Sequence, residues 1–190
     1  KGADANSTNV NIRVREKPTG MFSVGAGYSA LDNAIFTAQV AQQNLFGRGQ
    51  SLSLRANIGG SSSNYELSFI EPWLFDMPLW TKTDIWKMYR IYDTYRMDSE
   101  GAGFTFGYPI WDRISGYVGY KLSRDNVGDI YDTASSYIKR QEGQIITSSL
   151  TITLANDTTD DIMFPSKGSK STFSTEYTGG FLQGDASFIK

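Results

Sequence analysis

The sequence contains neither cysteine nor histidine. Without cysteine there are no disulfide bonds, thiol nucleophiles or cysteine-based metal sites. Without histidine the chain lacks the commonest general base and the commonest ligand of transition metals. We therefore expect no catalytic residue, no metal site and no cofactor, and we predict that the protein is not an enzyme.

The net charge is also small, and the sequence has no long apolar segment. The 18 lysine and arginine residues nearly balance 20 aspartate and glutamate residues, for a net charge of −2. Because the basic residues are spread along the chain, there is no electrostatic footprint for a phosphate backbone, and nucleic acid is not an expected partner. No window approaches the roughly 18–20 apolar residues of a membrane helix, and the polar start of the chain lacks the apolar core of a signal peptide.

The composition and the hydrophobic period instead indicate β structure. Aromatic residues make up 14% of the chain and there are 19 glycines, a mixture that favours strands over helices. Apolar and polar residues alternate in segments of about 9–11 residues, the length of a membrane-crossing strand. Between Gln144 and Leu154 one face reads Ile146, Ser148, Leu150, Ile152 and Leu154, and the other reads Ile145, Thr147, Ser149, Thr151 and Thr153.

The polar face of this alternation is dominated by glycine, serine and threonine. A soluble sandwich usually presents lysine, glutamate and arginine to solvent, whereas small hydroxylic residues suit the interior of a water-filled barrel whose apolar face points to lipid. Tyrosine and tryptophan near the strand ends would then form interfacial girdles. The candidate girdle residues are Trp73, Trp80, Trp86 and Trp111. The alternative is a soluble domain with these tryptophans in its core.

We thus predict an all-β chain, an antiparallel up-and-down transmembrane β-barrel of which this sequence holds about nine to ten strands. The strands are expected near residues 20–29, 34–43, 50–59, 64–71, 79–90, 98–109, 114–124, 144–155, 169–178 and 182–190. Their connections alternate between a polar set, including a long segment from Asp125 to Gly143, and a set rich in glycine and proline. The alternation is still running at Lys190, so we expect the chain to be part of a larger barrel.

Three short motifs carry weaker signals. The segment Gly25–Ala30 fits a dinucleotide fingerprint, but alternation resumes where that fingerprint needs a helix. The segment Asp132–Ala134 is similar to an aspartic-protease loop, yet no apolar strand flanks it. Asp157, Asp160 and Asp161 lack the ligand spacing of a calcium loop, and side-chain to backbone bonds in a turn explain them adequately, although an ion remains an alternative.

Three turns and the N-terminal passage together resemble one family. The turns are Gln42–Gln50 (QQNLFGRGQ), Glu71–Asp76 (EPWLFD) and Asp157–Gly168 (DTTDDIMFPSKG), and the passage is Val10–Gly27 (VNIRVREKPTGMFSVGAG). They resemble, in the expected order, the periplasmic turns of the BamA-type outer-membrane assembly factors and the entry into their first barrel strand. The turn residues that carry the resemblance are Asn44, Leu45, Phe46, Gly47, Glu71, Pro72, Trp73, Asp157, Pro165 and Gly168.

The resemblance implies a sixteen-stranded barrel in the outer membrane of a Gram-negative bacterium, preceded by periplasmic POTRA domains. Residues 1–18 are then the end of the last POTRA domain and its linker, in the periplasm, and residues 19–190 are the N-terminal part of the barrel. The implied role is the folding and insertion of other barrel proteins. The implied partners are unfolded outer-membrane β-barrel clients, outer-membrane lipids and periplasmic lipoproteins, and the open strand edges of this segment predict self-association.

The first strand is the predicted site of action. Gly25 and Gly27 lack side chains that would pack across strands, so the barrel seam beside this strand can open, and an incoming strand can add to it by β-augmentation. The residues predicted to act, through their backbone, are Met21, Phe22, Ser23, Val24, Gly25, Ala26, Gly27, Tyr28 and Ser29. The alternative for this strand is an ordinary barrel strand that curves at its glycines. The alternative functions are a passive or substrate-specific outer-membrane pore and a two-partner secretion translocator of the same superfamily.

Overall fold

Ten strands form a single antiparallel sheet in which every strand pairs with the next one along the chain. The computed structural model describes Arg13 and residues 17–161 and 163–190. The strands are β1 (Gly20–Ser29), β2 (Asn33–Leu45), β3 (Gln50–Gly59), β4 (Ser62–Glu71), β5 (Trp80–Ile91), β6 (Arg96–Trp111), β7 (Ile114–Gly128), β8 (Gly143–Asp157), β9 (Lys170–Thr178) and β10 (Phe188–Ile189). The predicted all-β, up-and-down architecture is confirmed.

Helical structure is confined to connections. The α-helix α1 (Ser136–Lys139) lies between β7 and β8, and short 3-10 turns cover Leu74–Asp76 and Gly180–Leu182. Within the described residues, no helix has the length and apolar character needed to cross a membrane. The predicted end of the last POTRA domain and its linker, residues 1–18, lie outside the described residues except for Arg13, Lys17 and Pro18.

The pairing register aligns side chains in rows that run across several neighbouring strands. Leu54, Leu67, Ile85, Ala102 and Leu122 are successive partners from β3 to β7. The adjacent row, one residue along each strand, consists of Arg55, Glu66, Trp86, Gly101 and Ser123. Because neighbouring residues of a strand point to opposite sides, the sheet has an apolar face, which contains the first row, and a polar face, which contains the second.

Burial is inverted relative to a water-soluble domain. Among the described residues the most deeply buried side chains are polar, namely Thr178, Ser148 and Ser149. By contrast, Phe22 and Phe173 are each 70% exposed. A continuous exposed apolar area of this kind needs lipid or a partner to cover it.

Trp80 and Trp86, two of the predicted girdle residues, are on the polar face, so the girdle prediction is wrong for them. The Trp80 ring packs edge-on against Tyr117, with ring centroids 5.9 Å apart, and the ammonium of Lys121 lies 5.2 Å from the centre of the Trp86 ring. A Cβ atom at Gly101 would lie only 2.4 Å from the Trp86 ring. The even-numbered residues of β5 all point to this side, and the glycine provides the room that the indole needs.

The prediction of a last strand at residues 182–190 is also wrong for most of that range. Only Phe188 and Ile189 pair with β9. The preceding residues turn the chain because four of them have positive φ angles, namely Gly179, Gly180, Gln183 and Gly184. The turn brings Gly184 into a bridge with Thr147 on β8. It thereby covers a part of the β8 edge that the shorter β9 leaves unpaired.

The long connection between β7 and β8 is shorter than predicted. β7 continues to Gly128 and β8 begins at Gly143, so the connection comprises residues 129–142. The extension follows from pairing with β6, where Arg96 is opposite Gly128. Backbone bonding continues past the end of the apolar alternation because it does not depend on side-chain polarity.

Arginine substitutions at two neighbouring positions of β8 test the assignment of the faces. Leu150 is on the apolar face, opposite Tyr120, whereas Thr151 is on the polar face, opposite Gly119. We expect Leu150→Arg to cost roughly 2–4 kcal/mol more than Thr151→Arg, because a charge on the lipid side of a barrel is penalised most near the membrane midplane. The measurement is denaturant unfolding of the protein in phospholipid vesicles. Equal costs, or the reverse order, would contradict the assignment.

Candidate functional site: the first strand and the motif turns

β1 contains all of the predicted pairing residues and lies at one end of the sheet. It pairs with β2 along its whole length, from Gly20 opposite Gln42 to Ser29 opposite Asn33. Within the described part of the chain, no strand pairs with its other edge. The site is therefore a strand that is bonded to β2 along its whole length and whose other edge has no partner among the described residues.

One hydrogen bond at the start of β1 shows which backbone groups point to this free edge. The N–H of Gln43 donates to the C=O of Thr19 over 3.2 Å. In an antiparallel pair, residues alternate between bonding to the partner and facing away from it. Odd-numbered residues of β1 therefore bond to β2. The residues whose backbone groups face the free edge are Gly20, Phe22, Val24, Ala26 and Tyr28.

The two glycines of β1 leave open space on the polar face. A Cβ atom at Gly25 or at Gly27 would meet nothing within 4 Å. Their partners on β2 are Thr37 and Ile35, which consequently have no side chain directly opposite them on β1. Since cross-strand side-chain contacts are the unit of sheet stabilisation, β1 relies on its backbone bonds at these two positions.

The first two motif turns are joined to each other at the same end of the sheet. The Gln50 side chain donates to one carboxylate oxygen of Glu71, and the other accepts the N–H of Trp73 over 3.0 Å. Within the β2–β3 turn, the side-chain oxygen of Asn44 accepts the N–H of Gly49 over 2.7 Å. Glu71 thus fixes the β2–β3 turn against the β4–β5 turn.

Aromatic side chains protrude from the turns at this end. Phe46 and Phe75 have φ angles of 55° and 57°, and this left-handed geometry turns both rings outwards, 85% and 80% exposed. Trp73 and Trp111, the two other predicted girdle tryptophans, are also exposed at this end of the sheet. These positions are compatible with a girdle at a membrane interface.

The third motif turn, between β8 and β9, is organised by aspartates. Asp160 accepts the N–H groups of Ser166 and Lys167 on one oxygen, over 2.9 and 3.0 Å, and the Ser166 hydroxyl on the other, over 2.6 Å. Asp161 accepts two further backbone N–H groups of the same turn. These bonds hold the pKa of both carboxyls below the usual range. The prediction that side-chain to backbone bonds explain these aspartates is confirmed.

Gly168 closes this turn at a position that no other residue fits. Its φ is +96°, and a Cβ atom there would lie 2.2 Å from the carbonyl oxygen of Thr158. Directly beyond it, the N–H of Thr158 donates to the C=O of Ser169 over 2.9 Å, and Lys170 pairs with Asp157 at 2.9 Å. Pro165 belongs to the same loop.

A charged and aromatic cluster on the polar face was not predicted from the sequence. It lines a cavity of about 610 Å³ and includes the Lys82–Asp84 ion pair, with the two charged atoms 3.0 Å apart. Glu66, Trp86 and Lys121 line the same cavity. The sequence signal that could have predicted this cluster is the strict alternation of β5, because it requires Lys82, Asp84 and Trp86 to share one side.

A ten-stranded antiparallel meander with an exposed apolar face, a hydroxylic and charged opposite face, and tight turns at one end is part of the wall of a transmembrane β-barrel. Residues 44–190 match the Omp85 superfamily domain. The chain therefore belongs to the Omp85 superfamily.

Its curated relatives include assembly proteins of bacteria and of vertebrates. The chain is 31% identical, over 95% of its length, to the outer membrane protein assembly factor BamA of Nitratidesulfovibrio vulgaris, and covers 23% of that protein. It is 25% identical, over 77% of its length, to the human sorting and assembly machinery component 50 homolog, and covers 31% of that protein. The chain thus spans about a quarter to a third of the length of these relatives.

A solved structure has the same fold. The crystal structure of BamA from Haemophilus ducreyi lacking POTRA domains 1–3 superposes with a TM-score of 0.64 at 22% identity, covering 86% of this chain and 35% of that one. The family match begins at Asn44, so β1 and most of β2 precede it. The similarity to the Nitratidesulfovibrio protein, by contrast, extends over nearly the whole chain.

Alanine at two turn glycines tests the geometry of the third motif turn. We expect Gly168→Ala to destabilise the protein by about 1–3 kcal/mol, because it adds a clash with Thr158 to the strain of a positive φ. Gly47 also has a positive φ, but nothing lies within 4 Å of its Cβ position, so Gly47→Ala isolates the backbone term and should cost less. Denaturant unfolding checks both; equal costs would contradict a steric role for Gly168.

Proposed function

We propose that this segment is the N-terminal part of the barrel of an outer-membrane protein assembly factor, and that β1 is the strand to which client β-barrel proteins add. The observation that carries the proposal is that β1 has no side chains at Gly25 and Gly27 to pack across a paired strand, while the backbone groups of its even-numbered residues point away from β2. The names of the relatives support it, since BamA is an outer membrane protein assembly factor.

The mechanism follows from the cost of unpaired backbone groups. In hydrocarbon each unsatisfied N–H or C=O costs several kcal/mol. An incoming client strand therefore gains free energy by pairing with the free edge of β1, where Val24 and Ala26 present such groups. The empty space beside Gly25 and Gly27 lowers the cost of separating β1 from a previous partner. No side-chain chemistry is required, in keeping with a protein that is not an enzyme.

The orientation belongs to the same proposal. The N-terminal end and the motif turns lie on the periplasmic side, the side of the periplasmic lipoproteins and of the last POTRA domain, whose end and linker are assigned to residues 1–18. The connection that contains α1 lies on the cell surface. Consecutive connections alternate between the two ends of the sheet, so fixing one connection fixes all of them. The free edges also allow two copies of the segment to associate.

Proline and alanine at position 24 test whether β1 acts through its backbone. Val24→Pro removes an N–H that faces the free edge and spares the bonds to β2, since proline is tolerated where its nitrogen faces away from the ladder. Val24→Ala shortens the side chain and keeps the N–H. We expect Val24→Pro to abolish insertion of an unfolded barrel client into vesicles and Val24→Ala to retain most of it.

The readout for this pair is the rate of client insertion, together with disulfide capture of the client by a cysteine in β1 and by one in β3. Equal insertion rates for the two variants, or equal capture at both strands, would contradict the proposal. If the protein is instead a passive pore, neither variant changes client insertion, and the barrel shows a large steady conductance in planar bilayers.

Cysteine labelling tests the orientation. Ser136 and Lys167 are both exposed and lie in connections at opposite ends of the sheet. We expect an impermeant thiol reagent to label Ser136→Cys on intact cells and to label Lys167→Cys only after the outer membrane is opened. The absence of other cysteines makes each signal specific. Labelling of Lys167→Cys on intact cells would reverse the topology.

A further inference from the structure

The apolar face has a groove across β3 to β8. Its volume is about 650 Å³, within the range of small-molecule sites. Ala102 provides the low floor of the groove, in a row where its neighbours are larger. The walls are formed by Leu54, Leu67, Ile85, Leu122 and Ile146. On a membrane-facing surface, a depression lined in this way accommodates hydrocarbon.

Three charged residues lie at one end of this groove. Lys87, Glu100 and Arg124 are register partners on β5, β6 and β7, two residues along each strand from the row that contains Ala102 and on the same face. The Lys87 ammonium lies 3.6 Å from a Glu100 oxygen, and the Arg124 guanidinium contacts the other Glu100 oxygen. The three residues carry a net charge of +1 and lie where the apolar rows of this face end, since Arg96 and Asp98 follow on the same face of β6.

A second, polar cavity begins where the apolar groove ends. It has a volume of about 330 Å³ and shares Lys87, Glu100 and Arg124 with the groove. Asp98, Asn126 and Gln144, which are register partners on β6, β7 and β8, also line it. The charged triad is therefore at the junction of an apolar site and a hydrogen-bonding site, and a ligand filling both must be amphipathic.

Lys87 and Arg124 have more hydrogen-bond donors than Glu100 can accept from. An ammonium has three donors and a guanidinium has five, and Glu100 occupies only part of them. The side chains of Lys87 and Arg124 are 68% and 54% exposed. The next cation along β6, Arg96, is neutralised by Asp98 and Asp129. Lys87 and Arg124 thus share the one carboxylate of Glu100, and the donors that they have left suit a phosphate group.

We propose that this surface is a binding site for one anionic, phosphate-bearing membrane lipid, with an acyl chain in the groove over Ala102 and the headgroup phosphate between Lys87 and Arg124. The inference rests on the apolar face lying in a membrane, and it is independent of the assembly activity. Lipid binding measured without any client therefore distinguishes the failure of this proposal from the failure of the proposed function.

The test is a titration of the intact protein, in neutral detergent, with phosphatidylglycerol and with zwitterionic phosphatidylcholine, followed by native mass spectrometry. The charge variant is Lys87→Gln/Arg124→Gln. The matched control is Lys82→Gln/Lys121→Gln, which removes the same charge from the same strands on the polar face. We expect phosphatidylglycerol affinity to fall about tenfold or more in the first and to change less than about threefold in the second.

Two single variants separate a lipid site from a structural ion pair. Glu100→Gln removes the competing carboxylate, so we expect it to tighten phosphatidylglycerol binding; a structural triad would lose thermal stability and bind no more lipid. Ala102→Phe fills the groove and leaves the triad intact, so we expect weaker binding of long-chain phosphatidylglycerol at an unchanged unfolding temperature.

Three results would overturn the proposal. Equal losses in the two double variants would mean that overall charge attracts the lipid. Unchanged binding in Ala102→Phe would mean that the groove does not hold the acyl chain. Equal affinity of the native protein for phosphatidylglycerol and phosphatidylcholine would mean that the triad does not select anionic headgroups.

Discussion

The continuous ladder of backbone hydrogen bonds between sequence neighbours is the constraint on which the rest of this structure depends. The usual stabilising element, a buried apolar core, is replaced here by exposed apolar side chains on one face, while the most buried side chains are Thr178, Ser148 and Ser149. In lipid, an unpaired backbone group is costly whatever its side chain. The sheet therefore extends its pairing wherever a partner is available, as β7 does by continuing to Gly128 opposite Arg96.

The two ends of this ladder are bonded very differently. β1 has a full-length partner, whereas β10 contributes only Phe188 and Ile189. The segment before β10 instead bonds back to β8, where the N–H of Ile146 donates to the Asp185 carboxylate over 2.7 Å. Turn geometry at Gly179 and Gly184 directs the chain there. The loop before β10 thus covers part of the β8 edge, whereas β1 is a regular strand along its whole length.

Because the two faces of the sheet are strictly separated, the surroundings of a charged residue depend on the face on which it lies. Lys82 and Lys87 are five residues apart on the same strand, yet the first faces a polar cavity beside Asp84 and the second faces the apolar groove. Arg124 and Lys121 divide in the same way on β7. Whether a charge contacts water or borders lipid is decided by the parity of its position, and the register then decides which charges on neighbouring strands meet.

Alternation and turn residues in the sequence determined the class of fold, the order of the strands and the bounds of β1 and β3. They could do so because a period of two and the φ angles of glycine and proline are local properties of the chain. Only the tertiary structure decided the contact of Lys121 with the Trp86 ring, the turn that brings Gly184 to β8 and the junction of two cavities at Glu100. Each depends on which residues of different strands lie opposite each other. That register follows from the complete set of backbone bonds and turns, and no single segment contains it.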